Sequence, residues 1–144
     1  MPQVTRSFKI QAPPSVVWRW RSTQEALRQW ISPSLEIDLR LGGAYRFLGL
    51  DEQTWVSGRV LELTPEGALV LSWLEEDRGW AHPGRLVITL AAAPAGTRVT
   101  LVHDGFAGIG KPGWEGTAQG YERGADRHQV LEKLAELVMA RVGG

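Results

Sequence analysis

The chain contains no cysteine. Disulfides, thiolate zinc centres and cysteine nucleophiles are therefore excluded. It also lacks net charge, since 16 basic residues balance 16 acidic ones. No long-range field draws such a protein to nucleic acid or to an anionic membrane, and neither is expected as a partner. No apolar run approaches the roughly 20 residues of a membrane span. The first residues, Met1 to Ile10, alternate polar with apolar and lack the apolar core of a signal peptide. A cytoplasmic protein is the expectation. Histidine is scarce, with only His82, His103 and His128. Their wide separation gives no metal-ligand spacing, so no metal site is expected. There is no Gly-x-Ser-x-Gly elbow, and no catalytic residue or cofactor is assigned.

One stretch nearly spells a nucleotide loop. Gly105-Phe-Ala-Gly-Ile-Gly-Lys-Pro112 supplies Gly105, Gly110 and Lys111 at phosphate-loop spacing. Position 112 is Pro, which brings no hydroxyl for magnesium and no backbone N–H for phosphate. Gly108, Gly110 and Gly113 also stand at dinucleotide-loop spacing, yet no strand pattern follows to build a parallel sheet. The stretch reads as a glycine-rich turn feeding a helix, with Pro112 near the first helical position.

Tryptophan, in contrast, is abundant: Trp18, Trp20, Trp30, Trp55, Trp73, Trp80 and Trp114. Each is a large apolar body whose single N–H wants a partner. They fill a core, or they line a cavity.

The pattern along the chain is ordered. Val4 to Ile10 alternates as a strand, and Ala12-Pro-Pro14 stops it. Pro14 opens a short helix through Trp18 and Trp20, and Thr23 is positioned to cap a second that carries Ala26, Leu27 and Trp30. The period then becomes two: Leu35, Ile37, Leu39 and Leu41 share a face, and Gly42-Gly43 predicts a tight hairpin. Strands follow over Ala44–Leu50, Thr54–Leu63, Ala68–Leu74, Arg85–Ala92 and Thr97–Asp104. Gly58 marks a bulge or a close approach. Glu75 to Gly84, with its charge run Glu75-Glu-Asp-Arg78, reads as an exposed loop. Arg46 lies on the opposite strand face from Tyr45 and Phe47. Thr97, Val99, Leu101 and His103 share a face, and adjacent Asp104 points the other way, so the two form no dyad. Finally Trp114, Ala118, Tyr121, Ala125, His128, Leu131, Ala135, Val138 and Val142 recur at helical spacing, predicting one long helix.

One strand, two short helices, about six antiparallel strands and a long helix make an α+β domain over residues 1–144. Its sheet is apolar on one face and must bury that face against the last helix. That helix is uneven. Its second half is rich in Leu and Val, whereas its first half carries Gly116, Ala118, Gly120, Gly124 and Ala125. Each interior Gly costs about 1 kcal/mol of helix stability relative to Ala. The small residues imply close approach of helix to sheet, or space between them.

Several pieces together resemble a known group: Ile10-Gln-Ala-Pro-Pro-Ser-Val-Val-Trp18, Thr23-Gln-Glu-Ala-Leu-Arg-Gln-Trp30, Asp38-Leu-Arg-Leu-Gly-Gly43, Gly58-Arg-Val-Leu-Glu-Leu-Thr-Pro65, Leu71-Ser-Trp73 and Gly96-Thr-Arg-Val-Thr-Leu-Val-His103. The ordered set resembles the SRPBCC superfamily (START, or Bet v 1-like). Within it, the set is most similar to the family of the activator of heat-shock-protein-90 ATPase homologue. The resemblance implies the helix-grip fold, a curved antiparallel sheet wrapped around a long C-terminal helix. It implies a cavity beneath that helix for apolar molecules. Some members are cyclases or hydrolases, and the namesakes stimulate a chaperone ATPase as part of longer chains. This sequence departs from the family at Ala125, where a Gly-Trp pair is expected near the middle of the last helix; loss of the large side chain is expected to enlarge the cavity.

The expectation is a binding protein for a small apolar ligand, as monomer or homodimer. Its wall is drawn from Trp18, Trp30, Trp55, Trp73, Trp80, Trp114, Tyr121 and Ala125, with His103 and His128 as polar groups. A chaperone co-factor acting through its surface and an enzyme using the same cavity are the alternatives. Two or more convergent polar side chains in the cavity would favour the enzyme, and a purely apolar cavity would count against it.

Overall fold

The computed structural model describes residues 3–20, 22–49 and 51–143, and for residues 126–128 and 141–143 the backbone alone. The elements run β1 (Val4–Ile10), α1 (Pro14–Trp18), α2 (Gln24–Arg28), β2 (Glu36–Ile37), β3 (Ala44–Leu48), β4 (Trp55–Leu63), β5 (Ala68–Glu75), β6 (Gly84–Ala93), β7 (Gly96–Asp104), a 3₁₀ turn (Phe106–Gly108), α3 (Trp114–His128) and α4 (Val130–Gly143). The sheet is antiparallel and unclosed, in the order β1-β7-β6-β5-β4-β3-β2. Strands β2 to β7 form a meander, because each connects to its neighbour by a short turn. β1 returns beside β7, pairing Val4 with His103 and Ile10 with Thr97.

Local chemistry sets the short helices. Pro14 occupies the first turn of α1, where its missing N–H costs nothing. Thr23 caps α2, its hydroxyl oxygen accepting the Ala26 N–H at 3.1 Å. Thr97 is fully buried and donates its hydroxyl to the Ala12 carbonyl at 2.7 Å, tying the β1 exit to β7.

The concave face is built from alternate residues of five strands. Tyr45, Phe47, Val56, Val60, Leu69, Leu71, Trp73, Leu86, Ile88, Leu90 and Val99 are all buried. Leu131, Leu134, Ala135 and Val138 of α4 are buried too, so α4 fills the grip. The convex face carries ion pairs: Arg46 with Glu76 at 2.9 Å, and Arg85 with Asp104 at 2.8 Å.

Three sequence expectations change. The alternation from Leu35 to Leu41 yields a strand only at Glu36–Ile37, and Leu41 is 73% exposed. The chain instead coils over 38–43. Asp38 N–H bonds the Ala44 carbonyl, Arg40 N–H bonds the Asp38 carbonyl and Gly43 N–H bonds the Arg40 carbonyl, so Gly42-Gly43 is not a two-residue hairpin. A Cβ at Gly43 would sit 2.0 Å from the Asp38 carbonyl oxygen, a contact only glycine escapes. Next, the long C-terminal helix is interrupted once, between His128 and Val130. Gln129 adopts a left-handed φ of 48° between α3 and α4. Third, Pro112 precedes the helix, and Gly113 is the α3 cap with φ 77°.

The glycine-rich turn is structural. Phe106 and Ile109 are fully buried, and the Ile109 carbonyl accepts the N–H groups of Ala81 and His82 at 2.7 and 3.0 Å. That carbonyl and those side chains plug the end of the core rather than cradle a phosphate.

Gly58 is a close approach. It faces Tyr45 in register, and the Tyr45 hydroxyl passes across β4 to donate to the Ser72 carbonyl at 2.5 Å. A Cβ at position 58 would stand 2.1 Å from that same carbonyl oxygen. Gly58→Ala is expected to cost about 2 kcal/mol or more in urea unfolding, because backbone must move. Gly116→Ala on α3 meets nothing within 4 Å and is expected to gain roughly 0.5–1 kcal/mol. Equal responses would contradict the two environments.

Candidate functional site

α3 and α4 cover the concave face unequally. α4 presents Leu and Val, whereas α3 presents Gly120, Gly124 and Ala125. A cavity of about 560 Å³ lies where the small residues face the sheet. Its sheet side is lined by Phe47, Val56, Leu86, Ile88 and Leu101, and Trp30 and Val130 contribute to the remaining wall. Interiors normally close such gaps, because lining atoms without neighbours lose dispersion contacts.

The predicted aromatic pool divides. Trp30, Trp73, Tyr121, His103 and Ala125 line the cavity. Trp30 is held rigidly, donating its indole N–H to the Trp20 carbonyl at 2.8 Å. Trp18, Trp55, Trp80 and Trp114 lie elsewhere. Trp55 is on the convex face, 37% exposed, with the Arg46 guanidinium 4.0 Å above its ring. Strand parity explains this, since Trp55 adjoins inward-facing Val56. Trp80 packs edge-on against Phe106 at the plugged end. Trp18 and Trp114 are half-buried against the core. The His128 side chain lies outside the described residues.

One polar cluster breaks the apolar wall. The Tyr121 hydroxyl, reaching in from α3, donates to the Glu75 carboxylate and accepts the Trp73 indole N–H at 2.8 Å. The His103 ring stands 4.4 Å from the Tyr121 ring and 4.6 Å from Trp73, centroid to centroid. Its Nε2 is buried without a hydrogen-bond partner. A buried polar atom left unpaired costs about 1–3 kcal/mol, and Trp80 Nε1 at the plugged end is unpaired in the same way. Asp51, Thr54, Thr117 and Arg123 add polar groups around the rest of the lining. Asp51 is held below the usual carboxylate range by the Thr54 hydroxyl and by the Gln53 and Thr54 N–H groups. Tyr121 is pushed well above the ordinary phenol value, first by burial and then by the Glu75 charge. Burial pushes His103 down to about 3, only partly opposed by the Asp104 charge behind it. The imidazole is therefore neutral at physiological pH, offering one N–H and one acceptor nitrogen.

Glu75 was missed by the sequence reading, which placed it in an exposed loop. It ends β5, and Leu69, Leu71, Trp73 and Glu75 share the inward parity. The signal was present: a carboxylate two residues after an inward Trp, where the next residue, Glu76, takes the outward pairing with Arg46. Among the described residues no three acidic or histidine side chains converge as a metal would need. No helix among them is long and apolar enough to cross a membrane.

The buried neutral histidine has a pH consequence. Unfolded, His103 titrates near its ordinary value of 6.5; folded, near 3. The unfolded state binds the extra proton between those values, so its contribution destabilises the fold as pH falls from about 6.5 towards 3. His103→Phe is expected to remove roughly 1.4 kcal/mol per pH unit from the acid slope of unfolding free energy. An unchanged slope would show that His103 protonates freely in the fold.

Comparison with known proteins places this geometry. The family model described as Activator of Hsp90 ATPase homolog 1-like protein matches residues 11–138. No curated protein sequence matches the chain. Among solved structures, a Mesorhizobium loti protein is 21% identical with a TM-score of 0.77, covering 96% of this chain and 97% of its own. The Aha1 dimer of Colwellia psychrerythraea is 15% identical with a TM-score of 0.70, covering 97% and 96%. An HSP90 activator from Plasmodium falciparum is 18% identical with a TM-score of 0.60, covering 78% and 75%. At these identities the likeness is one of fold.

Proposed function

The chain belongs to the Activator of Hsp90 ATPase homolog 1-like family, and on that premise we propose that it binds a small, largely apolar molecule between its sheet and α3. The observation that supports this reading is the cavity of about 560 Å³ facing Gly120, Gly124 and Ala125. Its volume falls within the range of roughly 300–1,000 Å³ typical of small-molecule sites. Its walls are mainly apolar, and its polar groups are few and concentrated, which suits orientation of a ligand more than hydrogen bonding along its length. Trp30, Trp73, Tyr121, His103 and Ala125 are the wall residues of this site. The convergent Tyr121, Glu75 and His103 are what an enzyme acting in the cavity would also use, but no bond-breaking step follows from their geometry.

Binding should be visible directly. An environment-sensitive apolar fluorophore is expected to brighten on addition of protein, shift tryptophan emission and raise the melting temperature. Ala125→Trp, which returns a large side chain to the wall, is expected to weaken that binding about tenfold or more while leaving circular dichroism unchanged. A panel of fluorophores and lipids that alters neither emission nor melting would remove the reading.

A second reading comes from the family description and from the names of two structural relatives, an Aha1 dimer and an HSP90 activator. Under it the chain stimulates a chaperone ATPase through its surface. Convex-face substitutions such as Arg46→Ala, with Trp55→Ala, would then reduce stimulated ATP turnover, whereas Ala125→Trp would not. Turnover unaffected by adding the protein counts against this second reading.

A further inference from the structure

We infer that the ligand is a cation, an apolar amine whose ammonium group sits against the Glu75 carboxylate in the cavity wall. This rests on the binding function proposed above and narrows it to a ligand class.

Carboxylates elsewhere in this fold come with cations. Asp38, Glu76, Asp104 and Glu122 pair with Arg40, Arg46, Arg85 and Arg6 at 2.6, 2.9, 2.8 and 2.9 Å. Asp51, in the cavity lining, is compensated by its own turn. Its oxygens accept the Gln53 and Thr54 N–H groups and the Thr54 hydroxyl, and the Arg78 charge lies near it. Glu75 differs. It is half-buried, lines the cavity and stands in register with inward-facing Val56. Its Oε2 accepts the Tyr121 hydroxyl, a neutral donor. Among the described residues its Oε1 has no partner, and no arginine or lysine pairs with the carboxylate. The neutral His103 ring brings no positive charge to the wall. Arg123, the cation of the lining, is solvent-exposed on α3 and forms no ion pair with Glu75.

A charge taken out of water is costly unless a counter-charge meets it. An apolar ligand that fills the cavity displaces water from around Glu75, so the ligand's own polar end decides that cost. An ammonium brings the opposite charge and N–H donors for Oε1. A hydroxyl can donate to Oε1 but leaves the charge unmatched. A hydrocarbon leaves both the charge and the lone pairs without a partner. A ligand carboxylate brings a second charge of the same sign, a pairing that interfaces penalise. The surrounding wall also suits a cation. The rings of Phe47 and Trp73 lie 5.3 Å apart and those of Trp73 and Tyr121 6.0 Å apart, all three in the lining. An ammonium over the face of such a ring, within about 6 Å of its centre, is attracted by the ring quadrupole.

The test uses the intact chain at neutral pH with the uncharged fluorophore N-phenylnaphthylamine bound in the cavity, displaced by decylamine, 1-decanol, undecane and decanoate. Decylamine is expected to displace it at roughly tenfold lower concentration than any of the other three, a difference of about 1.4 kcal/mol. Glu75→Gln keeps the side-chain shape and an acceptor for Tyr121, and should bring decylamine to within about threefold of decanol while decanol and undecane are unchanged. Glu76→Gln removes the outward-facing carboxylate one residue on, and should leave the amine preference as it was. Decanol or decanoate equal to or tighter than decylamine would overturn the assignment of a cation and leave the binding function standing. So would an amine preference that survives Glu75→Gln, or one lost equally in Glu76→Gln, which would reflect net charge alone. The order of the four compounds on the unsubstituted chain decides the matter even if Glu75→Gln fails to fold. If no fluorophore enters the cavity at all, the binding function and this inference fall together.

Discussion

The structure depends on one unequal contact. The sheet is apolar on its concave face and has only the C-terminal segment to bury it against. α4 answers with Leu131, Leu134 and Val138, which are buried to 2% exposure or less. α3 answers with glycine and alanine. Helices dock on sheets by side chains, so a helix without them leaves volume. Gln129, left-handed at φ 48°, separates the two segments and lets each follow its own line over the sheet. The fold is held by one half of the grip, and the cavity lies beneath the other.

Glycine in α3 is costly as helix chemistry, about 1 kcal/mol for each interior position relative to alanine. The helix has no side-chain cap at its N-terminus and is retained by tertiary links. Tyr121 reaches Glu75 and Trp73, and Glu122 accepts Arg6 at 2.9 Å. The Tyr121 link is therefore both structural and chemical. It fastens α3 to the sheet, and it pairs the Tyr121 hydroxyl and the Trp73 indole N–H in the cavity wall. The neutrality of His103 follows from the same burial that strands its Nε2.

Much of this was legible beforehand. The element order, the strand parity that turns His103 inward and Asp104 outward, the Thr23 cap and the small-residue half of the last helix were all visible as pattern. The resemblance carried by Ile10–Trp18 and the later motifs led to the same fold. Residues near turns were harder to read. Leu35 to Leu41 alternates as a strand would, but the Asp38–Gly43 coil satisfies its backbone locally, and Leu41 ends exposed. Glu75 looked like the start of a charge run, because composition outweighed parity. Trp55 looked like pocket wall because it is a tryptophan, although its neighbour Val56 already occupied the inward position.

The sequence by itself determined what is periodic: which strands alternate, which helix face is apolar, and where side chains are too small to fill space. Those are properties of neighbours along the chain, read from spacings of two or of three and four. Only the tertiary structure decided which of the aromatic residues share a cavity, and that Glu75, Tyr121 and His103 meet. Those residues lie on β5, α3 and β7, and no local interaction relates them. Their distances are set by the sheet's curvature and by where α3 comes to rest upon it, quantities that exist only once the whole chain has packed.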